Sequence, residues 1–448
     1  MAYKHGVYVA EQGTSIVAPV TATAGLQVVI GTAPINRASD PYHCTNTPML
    51  ANTLAGATAA VGYDDDYEKY TVCQSMGASF KVGVSPMILI NVLDPNKHKK
   101  NLPEKTVQVN DGVAVVEEKD ILLDKLTVKA EETPLAAGTD YTAAFDDNGY
   151  VNIVVIPGGA GDSATSLTVS GVQIDPTAVT PADIVGAVTA DGVESGMEVI
   201  RQIFPKLNMT PGILLAPGWS ENALVSAGLQ AKTSHINGVF NCVCIVDIDS
   251  STAGATKYDD VKRQKEKQAV TSANCYAVWL YAKVGDVIYA GSAMAAAATV
   301  ATDANNGDIP NVSPDNKPIS ISAACLKDGT EVLLDQEQAN VVNSFGVATW
   351  LNMNGFRLWG NNTACYPGNT DPKDRWFSVR RFFCWDDNTF IQTYFQKVSD
   401  PLNKRLIEAL VDSENVRGNS FVSRGICARY ELQYIESENP TTDLLNGT

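Results

Sequence analysis

In the run NCVCIVDID, Cys242 and Cys244 precede Asp247 and Asp249. Thiols and carboxylates this close resemble a metal site, but zinc takes four ligands and no second pair stands nearby. Free cysteine is among the most buried residue types, so the run reads as a buried strand. Ser220 follows Pro217, Gly218 and Trp219, which invites comparison with a nucleophile turn. The GxSxG pattern is absent, and Ser220 reads better as the N-cap of the helix that follows. None of the four histidines, His5, His43, His98 and His235, lies in a motif that would supply a base. Asp64, Asp65, Asp66 and Glu68 lack the glycine and terminal glutamate of a calcium loop. Neither GxxxxGK[ST] nor GxGxxG at a strand-to-helix junction occurs. No catalytic residue, cofactor or metal is therefore expected.

Two arginine settings are left. Arg357 lies in GFRLWGNNT, where alternation puts it on one strand face with Trp359 and puts Phe356 and Leu358 on the other. Arg380 and Arg381 stand beside Phe382, Phe383 and Trp385, in an amphipathic helix that packs in a core or presents an interface.

The chain has 448 residues, enough for two to four domains, and a net charge of -17 that argues against direct nucleic-acid binding. The charge is uneven: 22 basic and 38 acidic residues up to Glu337, then 11 and 12. The C-terminal quarter is thus the better candidate to meet an acidic partner. Nine cysteines without a CxxC pair fit a reducing cytoplasm. The start, MAYKHGVYVAEQG, lacks the apolar core of a signal peptide, and GSAMAAAATVA is too short to span a bilayer. A soluble protein with no membrane insertion is expected.

The elements that position these residues divide into five stretches. Residues 1–24 hold a strand, Gly6 to Glu11, with no local partner. Residues 25–93 begin a central α/β domain with the strand GLQVVIGTA. Residues 94–175 alternate apolar and polar residues between Asn-Asp-Gly and Asp-Asn-Gly turns, which predicts a β-rich inserted domain between two linkers. Residues 176–337 return to helices alternating with apolar strands (GILLAP, VFNCVCIVDI and NCYAVWLYAKV), the signature of a largely parallel sheet. Residues 338–448 read as an α+β domain, with two short strands around Arg357, two long helices and a last strand, ICARYELQYIES. The fold class is α+β multidomain.

Three segments together resemble one family: YKHGVYVAEQ followed by GLQVVIGTAP, then NGFRLWGNNT, then ARYELQYIESENPTTDLLNG. With IRQIFPKLNMTPGILLAPGWSENALVSAGLQAK, they look like the sheath proteins of contractile phage tails and phage-tail-like bacteriocins. That resemblance implies a structural protein, not an enzyme. It implies subunits stacked helically around an inner tail tube, meeting baseplate and tail terminator proteins in a virion tail or bacteriocin particle assembled in the host cytoplasm. It also implies that the N-terminal strand completes an inner, tube-facing C-terminal domain. Terminal arms would add strands to neighbouring subunits, which nominates Gly6, Val7, Tyr8, Val9 and Glu11 with Arg357, Trp359, Tyr430, Leu432 and Tyr434. Arg380, Arg381, Lys404 and Arg405 are nominated for contact with the tube or a neighbour. Many members continue past a segment like ENPTTDLLNG, which leaves two alternatives: a chain shorter by nature, or a truncated form whose joint between subunits is incomplete and which stays monomeric. The alternatives are an adhesive protein with a glycan-binding β domain, and an α/β hydrolase using Ser220 or a cysteine.

Overall fold

The computed structural model describes residues 23–399 and 404–440. It divides into two compact units, the first from Thr23 to Asp386 and the second taking the described residues from Asp387 onward. The expected strand Gly6 to Glu11 lies outside the described residues.

The first unit is built on apolar runs too continuous to leave a face in water. Strands β1 (Gln27–Gly31), β2 (Met49–Ala51) and β3 (Met87–Asn91) flank helices α1 (Leu54–Val61) and α2 (Thr71–Phe80). After an insertion come β11 (Ile213–Leu215), β12 (Val243–Ile248), β13 (Cys275–Trp279), β17 (Val347–Asn352) and β18 (Phe356–Trp359). They form one sheet in the order β18-β17-β13-β12-β11-β1-β3-β2. Pairing is parallel from β17 to β3, and every residue of β1, β3, β11, β12 and β13 is buried. A parallel sheet covered on both faces requires such sequences.

The expected boundary at residue 338 does not fall at the edge of this sheet. VATW of β17 is another apolar run, and it pairs with β13 rather than with the chain that follows. Among the described residues ICARYELQYIES forms no strand.

The insertion is a seven-stranded antiparallel sheet: β4 (Lys99–Asn110), β5 (Val113–Val116), β6 (Thr127–Ala130), β7 (Thr133–Pro134), β8 (Tyr141–Phe145), β9 (Val151–Val155) and β10 (Ser166–Ile174). It closes around its own core of Val116, Ile121, Val128, Ile153, Leu167 and Val169. Its ends are not loose linkers. Lys99 pairs with Ile174, and the Asp175 amide donates to the His98 carbonyl at 2.8 Å. Asp183 closes a capping box with Thr180 at the start of α3 (Pro181–Val185) and binds Lys97. Polar contacts also hold the insertion to the central domain. Asp64 receives Arg37 at 3.3 Å and Lys119 at 3.2 Å, and Tyr70 donates to Asp120.

The remaining helices are α4 (Ile203–Leu207), α5 (Ala223–Ala231), α6 (Val261–Lys267), α7 (Gly291–Ala304), α8 (Gln336–Ser344), α9 (Pro372–Arg375), α10 (Phe377–Tyr394) and α11 (Lys404–Ser423). A small sheet of β14 (Tyr281–Val284), β15 (Val287–Tyr289) and β16 (Ala323–Cys325) follows β13. Among the described residues no helix is long and apolar enough to cross a membrane.

Candidate functional site

In an open α/β sheet, ligands bind beyond the carboxyl ends of the strands, where the strand order reverses. Here that point lies between β1 and β11, and side chains fill it. The Thr32 amide donates to the Thr71 hydroxyl at 3.2 Å, and the Thr71 amide donates to the Thr32 hydroxyl at 3.2 Å. The Trp219 indole donates to the Thr71 hydroxyl at 3.2 Å, and Gln74 accepts from the Ala290 amide at 2.8 Å. Gly31 has no room for a side chain, because a methyl there would overlap Thr71.

One strand further along, Ser220 is fully buried. Its hydroxyl donates to Asp247 and accepts from the Asp247 amide, both at 2.9 Å. The Asp247 carboxylate also receives the Ser292 amide and hydroxyl, each at 2.6 Å. Ser292 opens helix α7, whose own N-cap residue, Ala290, has no side-chain cap. Asp247 therefore caps α7 from across the sheet, satisfying donors that a helix start leaves unpaired. Ser220 was expected to be the cap of α5, but Asn222 does that, accepting from the Leu224 amide at 3.0 Å. With both hydroxyl functions occupied and no water access, Ser220 serves as a strut.

Next to it, the carboxylate of Glu221 takes the Tyr281 hydroxyl at 3.0 Å and the ammonium of Lys327, which anchors the small sheet. Burial pushes the Glu221 carboxyl up to about 7, against the pull of Lys327. A carboxyl whose folded value is raised binds its proton more tightly when folded, so stability falls as pH rises from about 4.5 to about 7. Glu221→Gln keeps the Tyr281 bond and is expected to add about 1–2 kcal/mol at pH 8. Chemical unfolding between pH 5 and 8 checks this: the variant's profile is flatter than that of the parent.

Cys242, Cys244, Cys275 and Cys384 are buried thiols, and burial holds Cys242 and Cys244 well above the usual thiol range. Among the described residues no three His, Cys, Asp or Glu side chains are grouped to hold a metal ion.

Three nominated arginines are tied within the chain. Arg357 donates to the Asn316 carbonyl at 2.9 Å, and Trp359 donates to Asn340 at 3.1 Å. The outer edge of β18 is covered by the 316–319 loop: the Asn316 amide bonds the Leu358 carbonyl, and the Ile319 amide bonds the Phe356 carbonyl. An arm from a neighbour therefore has no open edge at Arg357. Arg381 is only 3% exposed and forms a two-pronged ion pair with Asp303 of α7, so it is not a surface charge. Arg380 reaches Asn274 at 2.5 Å and Asp374 at 3.6 Å. Lys404 and Arg405 are exposed on the first turn of α11.

The second unit is organised around Glu414, a buried carboxylate on α11. It accepts from Tyr394 of α10 at 3.2 Å, from Arg417 Nε at 2.8 Å and from Tyr430 at 2.6 Å. The Tyr430 ring lies against Gly418, where any side chain would overlap it. The Asn415 carboxamide accepts from the Leu432 amide at 2.8 Å and donates to the Leu432 carbonyl at 3.0 Å. The resemblance in sequence nominated Tyr430, Leu432 and Tyr434 for strand exchange. It missed Glu414, Asn415 and Gly418, whose only signal is that three small or polar residues interrupt an otherwise amphipathic helix.

No protein-family model matches the chain. The tail sheath protein of Burkholderia phage BcepMu is 26% identical over 463 aligned residues, covering 99% of this chain and 92% of that protein. This chain is a tail sheath protein homologue. Solved structures share its fold. The sheath tail protein of Desulfitobacterium hafniense aligns over 93% of this chain and 89% of its own, with a TM-score of 0.52 and 11% identity. The sheath of an extracellular contractile injection system in the contracted state aligns over 95% and 83%, with a TM-score of 0.53 and 13% identity. The contracted helical sheath of the anti-feeding prophage aligns over 95% and 85%, with a TM-score of 0.52 and 14% identity. The homologues are structural sheath proteins and not enzymes.

Proposed function

We propose that this chain is the structural subunit of a contractile tail sheath, polymerising helically around an inner tail tube and contracting to drive the tube through a bacterial envelope. The observation that carries this reading is the end-to-end match to a phage tail sheath protein. The partners are further copies of the chain, the inner tail tube protein, and baseplate and tail terminator proteins. The setting is a virion tail or bacteriocin particle assembled in the host cytoplasm.

Subunits that join different patches head to tail build rings or helices instead of closing as a dimer. The N-terminal strand Gly6 to Glu11 is the donated arm, and the segment carrying Tyr430, Leu432 and Tyr434 is its receiving edge. Strand addition supplies main-chain bonds with a fixed register while leaving the joined bodies free to rotate. The free energy of contraction is stored at assembly in one of two packings, the extended one trapped kinetically. Lys404 and Arg405 meet the tube or a neighbouring subunit. The second unit, with the N-terminal strand, forms the inner layer, and the β-rich insertion faces outward.

Sedimentation of the chain beside a form lacking residues 1–24 tests the arm. Polymer in the first and monomer in the second is expected; polymer in both contradicts the arm's role. The insertion is expected to be dispensable. Lys99 and Ile174 are direct antiparallel partners, so their main chains lie about 5 Å apart and a short glycine-serine link can replace what lies between them. The spliced chain should fold and form sheaths visible by negative stain, and loss of every polymer would overturn the outward placement.

A further inference from the structure

The Asn415 contact does more than hold a loop. Both main-chain groups of Leu432 reach one carboxamide, and the N–H and C=O of a single residue lie parallel only where the backbone is extended. A carboxamide offers one donor beside one acceptor, as a peptide group does. Asn415 therefore stands in for a neighbouring strand at a single position.

Alternation along an extended chain sends the main-chain groups of Glu431 and Gln433 the opposite way, off helix α11. Among the described residues none bonds them. The edge also has a defined end. The Ile435 carbonyl is taken by the Glu438 amide at 3.1 Å and the Asn439 side chain at 2.9 Å, where the chain turns into the short helix Glu436–Glu438. At the other end Tyr430 is seated against Gly418 and bonded to Glu414. The segment is thus fixed on α11 at Tyr430 and Leu432 and closed at Ile435, leaving the outward main-chain groups of Glu431 and Gln433 open among the described residues.

We infer that Asn415 is a positioning residue for assembly: by occupying the inward main-chain groups of Leu432, it fixes Glu431 and Gln433 as the residues that bond an extended strand from a second copy of this chain. This rests on the sheath reading above and adds which parity is offered and what enforces it. A slip of one residue would turn every side chain of the incoming strand to the wrong face, so parity decides whether the joint forms. Without the carboxamide the segment can rotate and offer either parity.

Residue-resolved hydrogen exchange on the full chain tests this, first as soluble subunit and then as pelleted polymer. In the subunit the Leu432 amide is expected to exchange slowly and those of Glu431 and Gln433 quickly. Asn415→Ala should speed Leu432 exchange about tenfold or more, the loss of roughly one hydrogen bond. Asn415→Asp, which keeps the acceptor, should fall between. In polymer of the parent chain the Glu431 and Gln433 amides become protected; in Asn415→Ala, polymer is sparse or that protection is lost, with the melting temperature near the parent's. A parent subunit in which Leu432 exchanges as fast as its neighbours overturns the proposal. So does Asn415→Ala polymer with parental protection at Glu431 and Gln433. If Leu432 is protected through Asn415 but the parent makes no polymer, the contact stands, while the sheath reading and the assembly role fail together.

Discussion

Replacing Asp247 with alanine is expected to lower folding stability by about 3–5 kcal/mol, among the largest effects of any single change in this chain. The carboxylate is buried at the carboxyl end of β12 and receives three donors: the Ser220 hydroxyl, the Ser292 hydroxyl and the Ser292 amide. Alanine leaves the protons of two hydroxyls and the Ser292 amide in the first turn of α7 without their acceptor, in a place that water does not reach. Helix α7 packs against α2 and the central sheet, with buried residues along nearly its whole length, so uncapping it loosens the core. Urea unfolding measures the loss directly. A catalytic aspartate predicts the opposite, since active-site groups are commonly replaced with little loss of stability, or even a gain. A change below about 1 kcal/mol would therefore contradict the capping role.

Arg381→Ala carries a penalty of similar size, about 3–5 kcal/mol, because it strands the Asp303 carboxylate in the core. The two side chains are each only 2% exposed, and Arg381 also donates to the Ala24 carbonyl at 3.3 Å. Replacing both partners together, Arg381→Met with Asp303→Leu, should recover most of the loss, since apolar groups of similar volume need no charge partner. A tube-contacting arginine predicts otherwise: the subunit would unfold normally and fail only when tube is offered. Unfolding of the single and double variants without tube separates the two.

Much of the fold is legible because burial leaves a direct mark on sequence. QVVIG, MILIN and CYAVW have no polar face and therefore lie inside a parallel sheet. The insertion shows its period of two and its Asx-Gly turns. What is not legible depends on partners distant in sequence. Ser220 resembles a cap because helix α5 follows it, yet its partner is Asp247. Arg381 resembles an interface charge because composition cannot distinguish a buried cation from an exposed one. The clue is Asp303, a lone acid at the end of the alanine-rich helix GSAMAAAATVATDA. ICARYELQYIES alternates as a strand does, but a strand is a property of a pair; among the described residues no second strand pairs with it, and the Asn415 side chain bonds the Leu432 main chain instead. The boundary expected at residue 338 fails for a related reason: β17 is apolar because it completes a sheet begun three hundred residues earlier.

The most direct test of the account is electron microscopy of the chain produced together with its tail tube protein. Striated hollow sheaths with helical order, in a long narrow form and a short wide one, are the predicted result. A monodisperse particle that stays unpolymerised on the tube, at any concentration and with its termini intact, would contradict it.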